Sequence, residues 1–95
     1  MHAQATIALD DSHSRITRWV FTEPGERTGP HTHEFEYVVV PITGGALSVV
    51  DTQGTTTELV QTAGVPYRGR AGTSHDVVNA SGGRLVFIEV ELTSI

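Results

Sequence analysis

Cysteine is absent from the 95-residue chain, so neither a disulfide framework nor thiolate chemistry is open to it. Lysine is absent as well. Six arginines stand against eleven acids, the net charge is −5, and no basic run can follow a phosphate backbone, which excludes nucleic acid as a partner. The longest apolar run, Tyr37 to Ile42, is far shorter than the roughly 18 residues of a membrane helix. Met1 to Thr6 lack the basic start and long apolar stretch of a secretory signal. These absences point to a soluble, cytoplasmic protein with no membrane partner.

Hydrophobic residues make up 38% of the chain and charged residues 18%, a balance that supports a packed core. The length fits one domain, residues 1–95. So small a domain buries only about 60–70% of the surface its unfolded chain exposes, which makes a homodimer the expected state. Valine, isoleucine and threonine account for 30 residues, and their branched side chains favour strands. Strand-length runs appear at Thr6–Leu9, Ile16–Thr22, Glu36–Ile42, Leu47–Val50, Thr56–Val60, His75–Asn79 and Leu85–Leu92. Turn clusters at Glu23-Pro24-Gly25, Thr43-Gly44-Gly45, Asp51-Thr52-Gln53-Gly54 and Ala80-Ser81-Gly82-Gly83 separate them. Connections this short exclude helical crossovers and predict antiparallel hairpins in an all-β sandwich or barrel. Pro41 cannot donate to a ladder and is expected at an edge or a bulge. Trp19, Phe21, Leu85 and Phe87 share one strand parity; Ile16, Val20, Val86, Ile88 and Val90 take the other. All are read as packing residues.

Histidine carries the chemical information. His31 and His33 flank one threonine, and in an extended chain that spacing turns both imidazoles to the same face. On its own the pair fits either a metal site or a solvated strand end. The surrounding residues extend it: Gly25, His31, His33, Tyr37 and Gly44 form one segment, and Gly64, Arg70, Gly72, His75 and Asn79 form another. The sequence here resembles the cupin family, whose first motif is G-x5-H-x-H-x(3,4)-E-x6-G and whose second is G-x5-P-x-G-x2-H-x3-N. Gly25, His31, His33 and Gly44 match the first motif in register, and Gly64, Gly72, His75 and Asn79 match the second. The two motifs span just over half the chain.

The resemblance implies a double-stranded β-helix, the cupin jelly-roll barrel, with His31, His33 and His75 converging on one divalent metal ion. Neutral imidazoles suit iron, zinc and nickel, with manganese a further candidate. Two positions depart from the motifs: Tyr37 stands where the family has glutamate, and Arg70 where it has proline. A phenol with an ordinary pKa of about 10 is a poor ligand, so a three-histidine centre is preferred to a tyrosinate one. Glu36, one residue earlier, is the candidate replacement carboxylate. Tyr37 then becomes the candidate catalytic group, as proton donor or oxyanion partner. Arg70 and Arg68, which share a strand parity, are the candidates for gripping a carboxylate or phosphate, with a solvated pair of arginines as the alternative. Asn79 is expected in a turn or supporting a ligand; His2 and His13 match no motif. The function implied is a metal-dependent enzyme of dioxygenase, isomerase or lyase type acting on a small organic anion. The alternative is a non-catalytic module that binds a small molecule or a metal. A structural zinc site is disfavoured because no cysteine is present to close it.

Overall fold

A computed structural model describes residues 1–94. These residues form nine strands and no helix: β1 (Gln4–Asp10), β2 (Ser14–Phe21), β3 (His31–Thr32), β4 (Tyr37–Pro41), β5 (Gly45–Asp51), β6 (Thr56–Gln61), β7 (Tyr67–Gly69), β8 (Ser74–Asn79) and β9 (Leu85–Leu92). All strand pairs are antiparallel and build two sheets, ordered β1-β2-β9-β4-β7 and β3-β8-β5-β6. The chain crosses repeatedly between the sheets, as a jelly roll does. Seven of the strands fall on the runs expected from the sequence; β3 and β7, two and three residues long, carry too little pattern to be seen there.

The alternation of β2 and β9 decides which side chains enter the barrel. Trp19 and Phe21 pair with Phe87 and Leu85, and these aromatic and aliphatic groups pack with Val39, Leu47 and Val77 into the core. The opposite parity, Ile16, Val20, Ile88 and Val90, lies on the outer face and is only half-buried, while Val86 is fully covered. Pro41 ends β4 opposite Phe87. The pairing of β4 with β7 stops at Val39, so no ladder hydrogen bond is demanded of its missing N–H. The proline expected at an edge or a bulge thus sits at the end of an inner strand, on the side that β7 leaves unpaired, and its carbonyl accepts from Gly64 N at 2.9 Å.

The core is not uniform along the barrel. One end holds Phe21, Leu47, Leu85 and Phe87; the other holds the histidines, Tyr37 and the acids of β9. Asn79 closes the apolar end. Its amide donates to the carbonyls of Glu23 (3.1 Å) and Gly83 (2.8 Å), and its oxygen accepts from Ser81 N and Oγ. It is a buried clamp between two turns, far from a ligand-supporting role at the histidines.

Candidate metal centre

Backbone pairing sets the three histidines in place. His31 lies directly opposite His75 in the short β3–β8 ladder, so both imidazoles leave the same face of the sheet. His33 continues past β3, its N–H bonded to Thr73 O at 2.9 Å and its carbonyl accepting from Gly72 N at 2.8 Å. Gly72 makes that return turn with φ +86°, a conformation that disfavours any side chain. The loop before β3 is pinned from beneath: the Asp76 carboxylate takes Arg27 Nε at 2.7 Å and Gly29 N at 3.1 Å. Gly29 in turn offers its carbonyl to His31 Nδ1 at 2.8 Å.

That last bond fixes the chemistry of His31. With Nδ1 donating, Nε2 is left as a lone pair. The Nε2 atoms of His31 and His33 are 3.2 Å apart, as are those of His33 and His75, and the three ligand atoms lie within 4.8 Å of one another. Four donors at about 2.0–2.1 Å from a tetrahedral ion stand about 3.3 Å apart, so these spacings match a shared ion. Burial, then the neighbouring imidazoles, push His33 and His75 down to about 4, leaving both neutral near pH 7 and able to ligate.

Aromatic faces hold the rings still. Tyr37 stacks on His33 with centroids 3.8 Å apart and planes 17° apart, and Trp19 stacks on His31 at 6.4 Å. Tyr37 also faces Gly69 across the β4–β7 pair, and a Cβ built there would fall 1.9 Å from the ring's Cζ. Gly69 is the floor on which the phenol lies. Burial, then the nearby Glu89, push the Tyr37 hydroxyl up to about 12. It keeps its proton, which suits a donor and disfavours a tyrosinate.

The structure does not bring the other sequence candidates to the histidines. The Glu36 side chain is 59% exposed and its Oε1 lies 3.7 Å from Arg68 Nη1. It belongs to the surface, because β4 begins at Tyr37 and its inward parity is Tyr37, Val39 and Pro41. Arg68 lines the rim of an interior cavity of about 280 Å³ together with Tyr37, Tyr67, His75 and Phe87. Arg70 is exposed on the loop after β7. The acid that does approach the centre is Glu89, buried on β9, with Oε2 3.9 Å from His33 Nε2. Beside it Glu91 is paired with Arg15, Nε to Oε1 at 3.0 Å and Nη2 to Oε2 at 2.8 Å. Both acids were legible in principle: in Leu85-Val86-Phe87-Ile88-Glu89-Val90-Glu91 they share the parity of Leu85 and Phe87, so a core-facing strand carries two carboxylates into the barrel.

No family model matches the sequence. A curated relative is 39% identical over 90 residues, covering 95% of this chain and 93% of its own: the Beta-alanine degradation protein BauB of Pseudomonas aeruginosa. A cupin domain from Bordetella pertussis superposes with a TM-score of 0.91 at 36% identity, covering 98% of this chain and 95% of that one. The chain belongs to the cupin superfamily. An RmlC-like cupin with a double-stranded β-helix from Methanocaldococcus jannaschii, 14% identical with a TM-score of 0.77 over 95% of this chain and 79% of its own, shares the fold. This cupin is thus a double-stranded β-helix whose barrel gathers three histidines at one end. No helix among its described residues is long and apolar enough to cross a membrane.

Proposed function

We propose that this cupin binds one divalent metal ion through His31, His33 and His75 and acts on a small organic anion as a metal-dependent enzyme. The observation that carries the reading is the convergence of three imidazole Nε2 atoms at metal-ligand spacing, one with its tautomer fixed by Gly29. An ion held there supplies Lewis-acid polarisation of a substrate oxygen, or an oxygen-binding centre if it is iron. The chain's own residues do the rest. Tyr37 places a phenol that retains its proton in the wall of the interior cavity, where it serves as donor to an oxygen developing negative charge. Val39, Leu47, Leu59 and Phe87 give that cavity an apolar lining. Arg68 at its rim is the candidate grip for a carboxylate, with Arg70 beyond it on the loop.

The relative's name supports the substrate class. Beta-alanine is a three-carbon amino acid with a carboxylate, and short carboxylate-bearing compounds are the first to try. The test begins with elemental analysis of untagged protein purified without chelator or a nickel column. A ratio near one iron, zinc, manganese or nickel per chain is expected, and His33→Ala should lower metal affinity by well over tenfold. A ratio near zero that stays there after each metal is added overturns the metal reading. Incubating metallated protein with short carboxylates and following them by proton NMR separates catalysis from capture: recovery of every compound unchanged favours a binding module.

A homodimer in the cytoplasm completes the proposal. Ile16, Val38, Val40, Ile88 and Val90 leave a half-buried aliphatic strip on the outer face of the five-stranded sheet, and β1 is exposed along its whole length. Light scattering at micromolar concentration should give twice the 10.2 kDa chain mass. A monomeric mass counts against the dimer.

A further inference from the structure

The two acids that β9 sends into the barrel have different surroundings. Glu91 is neutralised by a forked contact with Arg15, which commits both of that arginine's bonded nitrogens. Glu89, two residues earlier and equally buried, has no arginine within ion-pair distance among the described residues. Its carboxylate faces the histidines instead, 3.9 Å from His33 Nε2. It forms part of the wall between the interior cavity, lined by Tyr37 and His75, and a second cleft of about 230 Å³ lined by Trp19, His31 and His33. Trp19 and, at longer range, Arg15 ease the burial of this carboxylate without pairing with it, and a positive charge at the histidine cluster would offset more of that cost.

We propose that Glu89 is the fourth protein ligand of the centre, supplied from β9 to replace the carboxylate lost at Tyr37. This deepens the three-histidine reading and rests on it. The register makes the exchange possible: Glu89 pairs with Val39 on β4, so it is the diagonal neighbour of Tyr37 on the same inward face. Tyr37 lies flat between His33 and Gly69, and Glu89 lines the same cavity as its ring. Glu89 stands outside the group of ligand atoms that lie within 4.8 Å of one another, so ligation requires its side chain to swing towards His31 and His75 as well as to close the 3.9 Å to His33 to the spacing of about 3.3 Å between donors on one ion. A three-histidine, one-carboxylate set also lowers the formal charge at a divalent ion from two to one. The site then attracts anions less strongly, and a six-coordinate ion would keep two positions for one that chelates, where a tetrahedral ion would be closed.

Cobalt(II) titration of chelator-stripped protein tests this, reading both affinity against a competing chelator and the visible d–d spectrum. Glu89→Gln keeps the shape of the side chain and should weaken cobalt roughly a hundredfold or more, beyond the 10–100-fold cost of losing an outer partner, with a changed spectrum. Glu89→Asp, which withdraws the oxygens by one methylene, should weaken it in the same direction and guards against misfolding of the first variant. Unchanged affinity and spectrum in Glu89→Gln, with His33→Ala deficient, overturns the proposal and leaves the three-histidine centre standing. A moderate loss with an unchanged spectrum also overturns it, because Glu89 would then act through another ligand. A loss in Tyr37→Phe in place of Glu89→Gln would hand the position to a tyrosinate. Failure of the wild-type protein to take up any metal removes both readings together.

Discussion

The two ends of the barrel are built from the same strands and differ in what those strands point inward. At one end β2 and β9 pair Phe21 with Leu85 and Trp19 with Phe87; at the other they pair Thr17 with Glu89 and Arg15 with Glu91. The backbone ladder is continuous between them, so the change from core to site is made wholly by side chains. One end stabilises the fold by removing apolar surface from water, and the other carries a stability cost that a bound cation would offset. The division of labour runs along single strands.

Substitution at the apolar end gives the largest effect. Phe21→Ala, at a fully buried ring, should cost about 3–5 kcal/mol, much of the margin of a domain this small, as read by urea denaturation. The loss should be the same at pH 5 and pH 7.

The polar end should break that constancy. Burial holds His33 and His75 down to about 4, below the unfolded value of about 6.5, so the unfolded chain takes up protons that the fold refuses. Stability of the metal-stripped protein is therefore expected to fall as the pH drops from 6.5 towards 4. Glu89 works in the opposite sense. Burial, then Glu91, push it up to about 7, so its contribution is intact below about 4.5 and lost as the pH rises through 7. Two imidazoles oppose one carboxyl, and Glu89→Gln should steepen the acid loss. Calorimetric Tm from pH 4 to 8 measures both; a flat profile contradicts the buried, neutral histidines.

Gly69→Ala comes next. Its Cβ would fall on the Tyr37 ring, and overpacking of this kind costs about 1–3 kcal/mol. Combining it with Tyr37→Ala should recover part of the loss, and strict additivity in that double-mutant cycle would show that the phenol does not rest on the glycine. The smallest effect is expected for Arg15→Ala. It leaves Glu91 buried without its fork, and because the arginine is 39% exposed the cost should be about 1–2 kcal/mol, again by urea denaturation.

The sequence made the barrel legible because its strands alternate and its turns are marked by glycine. The histidine triad was legible because two motifs lie in register around His31, His33 and His75. Glu36 was misplaced for a specific reason. Proximity along the chain to the missing glutamate favoured it, whereas in a sheet the neighbour that matters is across the strand, and Glu89 on β9 lies opposite Val39 on β4, 50 positions earlier in the chain. Register between distant strands is not written in local pattern. Arg68 and Arg70 shared a parity in the sequence, but β7 ends at Gly69, so only Arg68 reaches the cavity rim. Trp19 read as core and is also the face against which His31 stacks.

The pairing of His31 with His75 also fixes when the centre comes into existence. β3 meets β8 across more than forty residues, and β2 meets β9 across about seventy, so most of the ladder is closed by contacts far apart in sequence. Chains with such topology fold slowly, on the order of milliseconds to seconds, because loop entropy must be lost before distant strands gain anything from meeting. His75 is therefore a stranger to His31 and His33 through most of folding and joins them only as the β3–β8 pair closes. Under the proposed metal reading, an ion would meet a finished cage, and its late capture would lock the β3–β8 seam, the shortest strand pairing among the described residues.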